Sequence, residues 1–330
     1  MLRVMLQAPR GPVTVVAGEP SEPGAGEVLL KMEACGICHS DLFVASLPNL
    51  PLVPLTLGHE GIGRVVALGS GVNNVAVGDR VGLTFLAGTC GECEYCGSDR
   101  ERYCARQWNS GYTVHGALAG QAVIRAQHLV RVPDGLAAAV AAPLCCAGWT
   151  AYGALREAGA ADSVAIFGMG GLGHLAVQYA RYRGLRVAAA DVSEEKLEQA
   201  RSLGAEVAVL ADGAGRTLQK SMGGVDAAVV LTASPAAIQQ AFRAVKRTGT
   251  VVLVGLAATN YELPIVDTVL KGIRIQGSYL GTRHDLEDVM RLGATGKVRP
   301  HVETFPLEEA PRLLEALKQG KLLGRAVVTF

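Results

Sequence analysis

The sequence predicts an α/β protein of two domains, an all-β, barrel-like domain followed by a doubly wound parallel sheet. Three observations carry this prediction. The chain has 330 residues, too many for one small domain and enough for two ordinary ones. Its 41 glycines and only 5% aromatic residues suit tight backbone turns around buried parallel strands. Its texture also changes near residue 145, from short apolar runs broken by Gly and Pro to β-type runs alternating with helix-type segments.

In the first part, Glu27–Met32, Gly63–Leu68 and Gln121–Ile124 read as strands, with turn signals at Gly69–Gly71 and Val77–Asp79 between them. In the second, strands are expected to begin near Val164, Arg186, Glu206, Asp226, Thr250 and Ile273. Helices fit between most of them. One runs over Glu194–Arg201 behind Ser193 as N-cap, and another opens at Ser234–Pro235 with Pro in the first turn. Six strands with crossover helices make a doubly wound sheet. The last stretch, from about 285, starts with a helix after Asp285 and ends in Arg325–Phe330, a strand able to return to the first domain. The predicted division is 1–145 with 285–330 as one domain and 146–284 as the other.

Charge and hydropathy exclude several classes. Thirty-one basic and 30 acidic residues leave a net charge of +1, no footprint for nucleic acid or an anionic membrane. Hydrophobic residues at 49% and charged residues at 18% exclude a disordered chain. The N-terminus lacks an apolar signal region, and the longest apolar run, Leu136–Trp149, is too short for a bilayer and contains Pro143. A cytoplasmic protein is expected. In that reducing compartment, clustered cysteines bind metal or do chemistry rather than form disulfides.

The strand candidate Ser163–Phe167 runs into Gly168, Met169, Gly170, Gly171, Leu172 and Gly173. This is the GxGxxG pattern in the context it requires, between a strand and a helix. Gly168 permits the turn, Gly170 lets the backbone approach a pyrophosphate, and Gly173 packs helix against strand. Asp191 follows at the end of the second strand. A carboxylate there accepts hydrogen bonds from an adenosine ribose and repels a 2′-phosphate, and neither Val192 nor Ser193 would hold one. NAD is therefore expected rather than NADP.

Eight cysteines all lie in the first half of the chain. Cys90, Cys93, Cys96 and Cys104 have the spacing of a closed tetrahedral zinc site, which holds a lobe and does no catalysis. Two further segments carry ligand types, Cys35–Asp41 (CGICHSD) and Gly58–Gly61 (GHEG), and a third thiol is available at Cys145 or Cys146. Three protein ligands and an open position make a catalytic zinc site. Spacing alone does not choose between Cys35 and Cys38, or between Cys145 and Cys146.

Together with the four-Cys lobe, the fingerprint and the GRAVVTF ending, these motifs resemble the zinc-dependent alcohol dehydrogenases of the medium-chain dehydrogenase/reductase family along essentially the whole chain, nearest its microbial, yeast-like branch. The resemblance implies a GroES-like β-barrel catalytic domain plus a Rossmann coenzyme domain, two zinc ions per subunit, NAD, a small alcohol or carbonyl substrate and a homotetramer. It places catalytic zinc on Cys38, His59 and Cys146, with Glu60 beside the metal and Asp41 orienting the ligand His. Cys35 and Cys145 are left as small buried residues. It puts His39 and Arg325 on the NAD pyrophosphate, Ser40 on the substrate oxygen, and Phe85 in the pocket wall. Lys196, Val254, Leu256 and Ser278 are further cofactor candidates, though the last three also suit ordinary strand ends.

The implied reaction is reversible oxidation of an alcohol to an aldehyde or ketone, with Ser40 taking part in proton removal and a cleft between domains aligning donor and acceptor. Polyol, formaldehyde or aryl-alcohol oxidation is the alternative within the family. A zinc-free quinone-reductase-like enzyme would lack the cysteines, a zinc hydrolase would have no use for the fingerprint, and a silent NAD-binding protein would not need intact ligands. One departure stands out: the branch carries a relay His three residues after Ser40, where this chain has Phe43, a pocket residue that cannot pass a proton. The loop between Asp41 and His59 looks about two residues short of that branch, and Leu47, Leu50 and Leu52 within it are expected to shape an apolar pocket mouth.

Overall fold

The strand Glu27–Gly36 alternates its side chains so that Val28, Leu30, Met32 and Ala34 turn inward and are fully or almost fully buried. That period of two is what a half-buried sheet requires. It pairs antiparallel with Gly61–Leu68, with Gln121–Arg125 and with the C-terminal strand Arg325–Thr329. Arg80–Leu83, Val130–Arg131 and Val302–Pro306 extend this sheet to seven strands. A three-stranded sheet of Val13–Ala17, Leu2–Leu6 and Leu55–Thr56 accompanies it. Leu6, Leu30, Leu55, Leu57, Leu83 and Leu118 are among the side chains of one continuous core, each contributing roughly 1.5–3 kcal/mol by leaving water. The computed structural model describes residues 1–19, 22–256 and 260–330.

The chain divides into two compact units, Met1–Cys146 with Thr282–Phe330, and Ala147–Gly281. The second is built on six parallel strands in the order Val207–Leu210, Arg186–Asp191, Ser163–Phe167, Val225–Val230, Val245–Leu253, Arg274–Gly277. In sequence numbering this is 3-2-1-4-5-6, the doubly wound order. Its strands are Ala- and Val-rich and nearly continuous in burial, as strands covered on both faces must be. Ser193 caps the helix Glu194–Ser202, and Ser234 caps Pro235–Ala244 with Pro in its first turn.

Three expectations shift. The fifth strand starts at Val245, before Thr250; Val245 pairs with Val225, and the register then slips across a segment where Thr248 takes φ 63°. The helix expected after Asp285 begins at Arg283, because Thr282 is its N-cap and Asp285 closes a capping box from the third helical position. The apolar run read as ending at Trp149 continues as a helical stretch over Ala138–Glu157, 20 residues and apolar enough to cross a bilayer by length and composition. It is a core helix, since 78% of its most apolar stretch is buried within the protein.

Candidate metal centre and cofactor fingerprint

Strand register builds the first site. Cys35 pairs with Gly61 in antiparallel strands, so the residues just after Gly36 and just before Gly61 emerge at the same end of the sheet. Cys38 therefore meets His59 and Glu60. The C-terminal strand pairs Val327 with Gly36, and the Ile37 N–H donates to the Ala326 carbonyl, which delivers Arg325 to the same place. Cys146 arrives from the helical stretch, in its π-helical turn Leu144–Gly148.

One ligand atom from each of Cys38, His59, Glu60 and Cys146 lies within 4.8 Å of the others, and all four residues are buried. The Cys38 and Cys146 sulfurs are 3.9 Å apart. Two thiolates on one tetrahedral zinc, each at about 2.3 Å, would stand roughly 3.8 Å apart. His59 Nδ1 meets Asp41 Oδ1 at 3.2 Å, and Asp41 also accepts the N–H groups of Gly58 and Cys38 at 3.1 and 3.0 Å. This fixes the ring and leaves His59 Nε2 buried with no hydrogen-bond partner among the described residues, as an atom that could ligate a metal would be. The donor set is that of zinc.

The electrostatics agree. The Cys38 thiol is held well below its usual range by the hydrogen bond from Cys146, helped by the charge of His59. Burial opposes charge on His59, yet Asp41 and then Cys38 raise its pKa well above the usual value. Surroundings that pull a proton onto the ring favour a metal cation in its place. Burial pushes the Glu60 carboxyl up to about 8 against the opposing charge of Arg325.

Arg325 reaches the same group. It is buried, donating from Nη2 to Glu60 Oε1 at 2.5 Å and to the Ile37 carbonyl at 3.1 Å. It thereby offers its guanidinium to Glu60. His39 is exposed in the first turn of the helix His39–Ser46. Ser40 is half-buried with Oγ 3.7 Å from Cys38 Sγ. Phe43, on the same helix, is 46% exposed. Phe85 packs its ring edge-to-face with His59 at 5.4 Å and stacks on Tyr112 at 6.5 Å. Tyr112 escaped the sequence reading; the only signal for it was a Ser-Gly-Tyr turn following the lobe. Leu50 and Leu52 pack against the barrel core, so their apolar character is explained without a substrate, and Leu47 is only half-buried.

In the lobe, Cys90, Cys93, Cys96 and Cys104 form a second group within 4.8 Å. Sulfur separations are 3.8 Å for Cys90–Cys96 and 3.5 Å for both Cys93–Cys96 and Cys90–Cys104, again near tetrahedral thiolate spacing. Backbone N–H groups of Glu92 and Cys93 lower the Cys90 thiol to about 6, and the Arg106 N–H reaches Cys104 Sγ at 3.4 Å. All eight cysteines are free.

In the second unit the glycine fingerprint links Ser163–Phe167 to the helix Gly173–Tyr182. Gly168 has φ 95°, and a Cβ on Gly173 would fall 2.1 Å from the Gly168 carbonyl oxygen, so both must be glycine. A Cβ on Gly170 would meet nothing within 4 Å, which leaves its backbone open to a phosphate, as do the half-buried Gly171 and Leu172. Asp191 accepts the N–H groups of Met169 at 2.6 Å and Ser193 at 3.0 Å. It thus anchors the turn as well as presenting a carboxylate. Sequence reasoning missed His174, buried just inside the helix with Nδ1 3.1 Å from the Gly170 carbonyl. The Lys196 backbone N–H caps onto Ser193. Val254 is half-buried just after its strand, Leu256 is exposed, and Ser278 Oγ is buried without a partner among the described residues. The glycine loop and the Asp191 carboxylate fit a dinucleotide.

Comparison with known proteins shows the family. Residues 24–134 match the alcohol dehydrogenase GroES-like domain and residues 171–295 the zinc-binding dehydrogenase family. An alcohol dehydrogenase of Geobacillus stearothermophilus is 45% identical over 309 residues, covering 92% of this chain and 91% of that one. The crystal structure of the alcohol dehydrogenase of the archaeon Aeropyrum pernix superposes with a TM-score of 0.91 at 30% identity over 100% of both chains. The acetophenone reductase of Geotrichum candidum, solved with NAD, gives 0.86 at 31% identity over 99% of this chain and 96% of that one.

Proposed function

This chain belongs to the zinc-dependent alcohol dehydrogenases of the medium-chain dehydrogenase/reductase family, and from that premise we propose how its own residues carry the NAD-linked oxidation of an alcohol to an aldehyde or ketone and its reverse. The observation that carries the assignment of residues is the buried, unpartnered Nε2 of His59 beside two thiols 3.9 Å apart. Cys38, His59 and Cys146 hold catalytic zinc, and Glu60 is a fourth donor kept on Arg325. Cys90, Cys93, Cys96 and Cys104 hold structural zinc. When bound, zinc supplies Lewis acidity that acidifies an alcohol hydroxyl or polarises a carbonyl, and NAD supplies the hydride acceptor.

The chain's side chains do the rest. Asp41 locks the His59 ring so that Nε2 alone faces the metal position. Ser40 Oγ, beside Cys38, accepts the alcohol proton and passes it to water, because Phe43 cannot take it. The glycine loop receives the pyrophosphate on open backbone N–H groups, and Asp191 meets the adenosine ribose. His39, Arg325, Lys196, Val254, Leu256 and Ser278 are further cofactor contacts in this reading. Phe85, backed by Tyr112, forms an aromatic wall beside His59. That wall favours apolar primary alcohols and aryl alcohols over polyols, whose hydroxyls it would leave unpaired.

A homotetramer in the cytoplasm completes the proposal. The edge strand Arg274–Gly277 is exposed throughout, and Ile265, Val266, Val269 and Leu270 of the neighbouring helix Ile265–Lys271 are each more than 60% exposed. An uncovered sheet edge beside apolar side chains supports self-association. The test measures zinc per subunit alongside NADH formation over a panel of primary, aryl and polyhydric alcohols. Two zincs per subunit and activity on primary alcohols are expected. Activity surviving complete zinc removal would overturn the metal reading, and one zinc per subunit would reject one of the two sites.

A further inference from the structure

The sequence offers two adjacent thiols, Cys145 and Cys146, and the helical stretch carrying them changes to a π-helical turn at Leu144–Gly148. A π turn admits one extra residue and re-aims the side chains after it. Here three successive side chains leave in three directions. Leu144 and Cys145 are fully buried, and each fills the space that a side chain would need on a glycine of another element. A Cβ on Gly293, in the helix Arg283–Ala294, would fall 2.5 Å from Leu144 Cδ1. A Cβ on Gly82, in the strand Arg80–Leu83, would fall 2.8 Å from Cys145 Sγ. The third side chain, Cys146, points its thiol at Cys38 Sγ.

We infer that Leu144 and Cys145 are positioning residues for the metal ligand Cys146, with Gly293 and Gly82 as their sockets. The inference rests on Cys146 being a zinc ligand. Two pegs on consecutive residues fix both the rotation and the height of the π turn, so the metal receives Cys146 and not its neighbour. Small, weakly polar Cys145 suits a socket only as deep as the missing Cβ of Gly82.

The test is a set of variants of the full chain, each assayed for zinc at the two sites under competition with a chelator and, after cobalt exchange, for the visible absorption of the catalytic site. Gly82→Ala is expected to weaken catalytic zinc about 10–100-fold, as loss of a ligand's supporting contacts does. It should alter the cobalt spectrum and leave the lobe zinc in place. Adding Cys145→Ala makes room for the new methyl group, so the double variant should regain most of the affinity and the original spectrum. Unchanged zinc binding in Gly82→Ala would overturn the inference, and so would a double variant no better than the single. Gly293→Ala with and without Leu144→Ala makes the same comparison should Gly82→Ala not fold. Cys146→Ala separates the two readings. Its loss of catalytic zinc upholds the ligand assignment even where the sockets fail, and its retention of that zinc rejects the assignment and the inference with it.

Discussion

The Asp41 carboxylate touches His59 Nδ1 at 3.2 Å while accepting the backbone N–H groups of Cys38 and Gly58. One buried acid thus orients one ligand through its ring and grips the backbone of another. In Asp41→Asn an amide N–H₂ must face either a backbone N–H or the ring N–H. Zinc affinity at the catalytic site is expected to fall about 10–100-fold, with lobe zinc retained. Metal analysis after dialysis against a weak chelator reads this directly, and an unchanged two zincs per subunit would contradict it.

Asp191 has both carboxylate oxygens engaged by backbone N–H groups of the cofactor turn. Removing the acid therefore does more than admit a 2′-phosphate. Asp191→Ala is expected to raise KM for NAD at least about tenfold, since a charge-assisted hydrogen bond contributes roughly 1.5–3 kcal/mol, without bringing NADP turnover up to the original NAD level. Steady-state kinetics with both cofactors decide it; efficient NADP use by the single variant would show that the turn does not need the acid.

Phe43 is 46% exposed, so solvent already reaches the helix face where a relay histidine would stand. Phe43→His is expected to leave turnover below neutral pH unchanged, as the proposed proton path ending at Ser40 and water requires. A clear rise in kcat below pH 7 would show instead that the missing relay limits the enzyme. Ser40→Ala is the companion variant: it should lower kcat about 10²–10⁴-fold with zinc content intact.

His128 lies beside Thr89, 3.2 Å from its hydroxyl, and burial, with Arg283 nearby, pushes its imidazole down to about 4. The unfolded chain protonates this ring near pH 6.5. Between the two values the unfolded state binds more protons, so stability is complete above about 6.5 and declines as pH falls toward 4. The contribution is of the order of 3 kcal/mol. Melting curves across this range should slope less steeply for His128→Gln than for the parent; parallel slopes would remove His128 from the pH response.

Features confined to short stretches were legible in the sequence. The four-Cys lobe occupies fifteen residues, and the fingerprint needs only a strand, six residues and a helix, so spacing and chemistry sufficed for both. The six-strand sheet was legible because each βα unit repeats a local pattern. Less legible was anything set by pairing between distant segments. Arg325 and Glu60 are 265 residues apart and joined only through the register of three strands. The ion pair between them is therefore visible only in the fold. Tyr112 backs Phe85 through a loop return that no periodicity marks.

By itself, the sequence determined which chemistry is present: soft thiols, one imidazole and carboxylates at metal-ligand spacing, and a glycine loop ahead of an acid. Side-chain type and short spacing are local properties, and they survive without a fold. The tertiary structure shows Cys146, the thiol that the resemblance implied, meeting Cys38, His59 and Glu60. Cys145 and Cys146 are the same residue type, one position apart, and no spacing rule distinguishes them. The difference lies in a π turn and in the notches at Gly82 and Gly293, which belong to elements far away in the chain and exist only once the barrel and the helix beside it have packed.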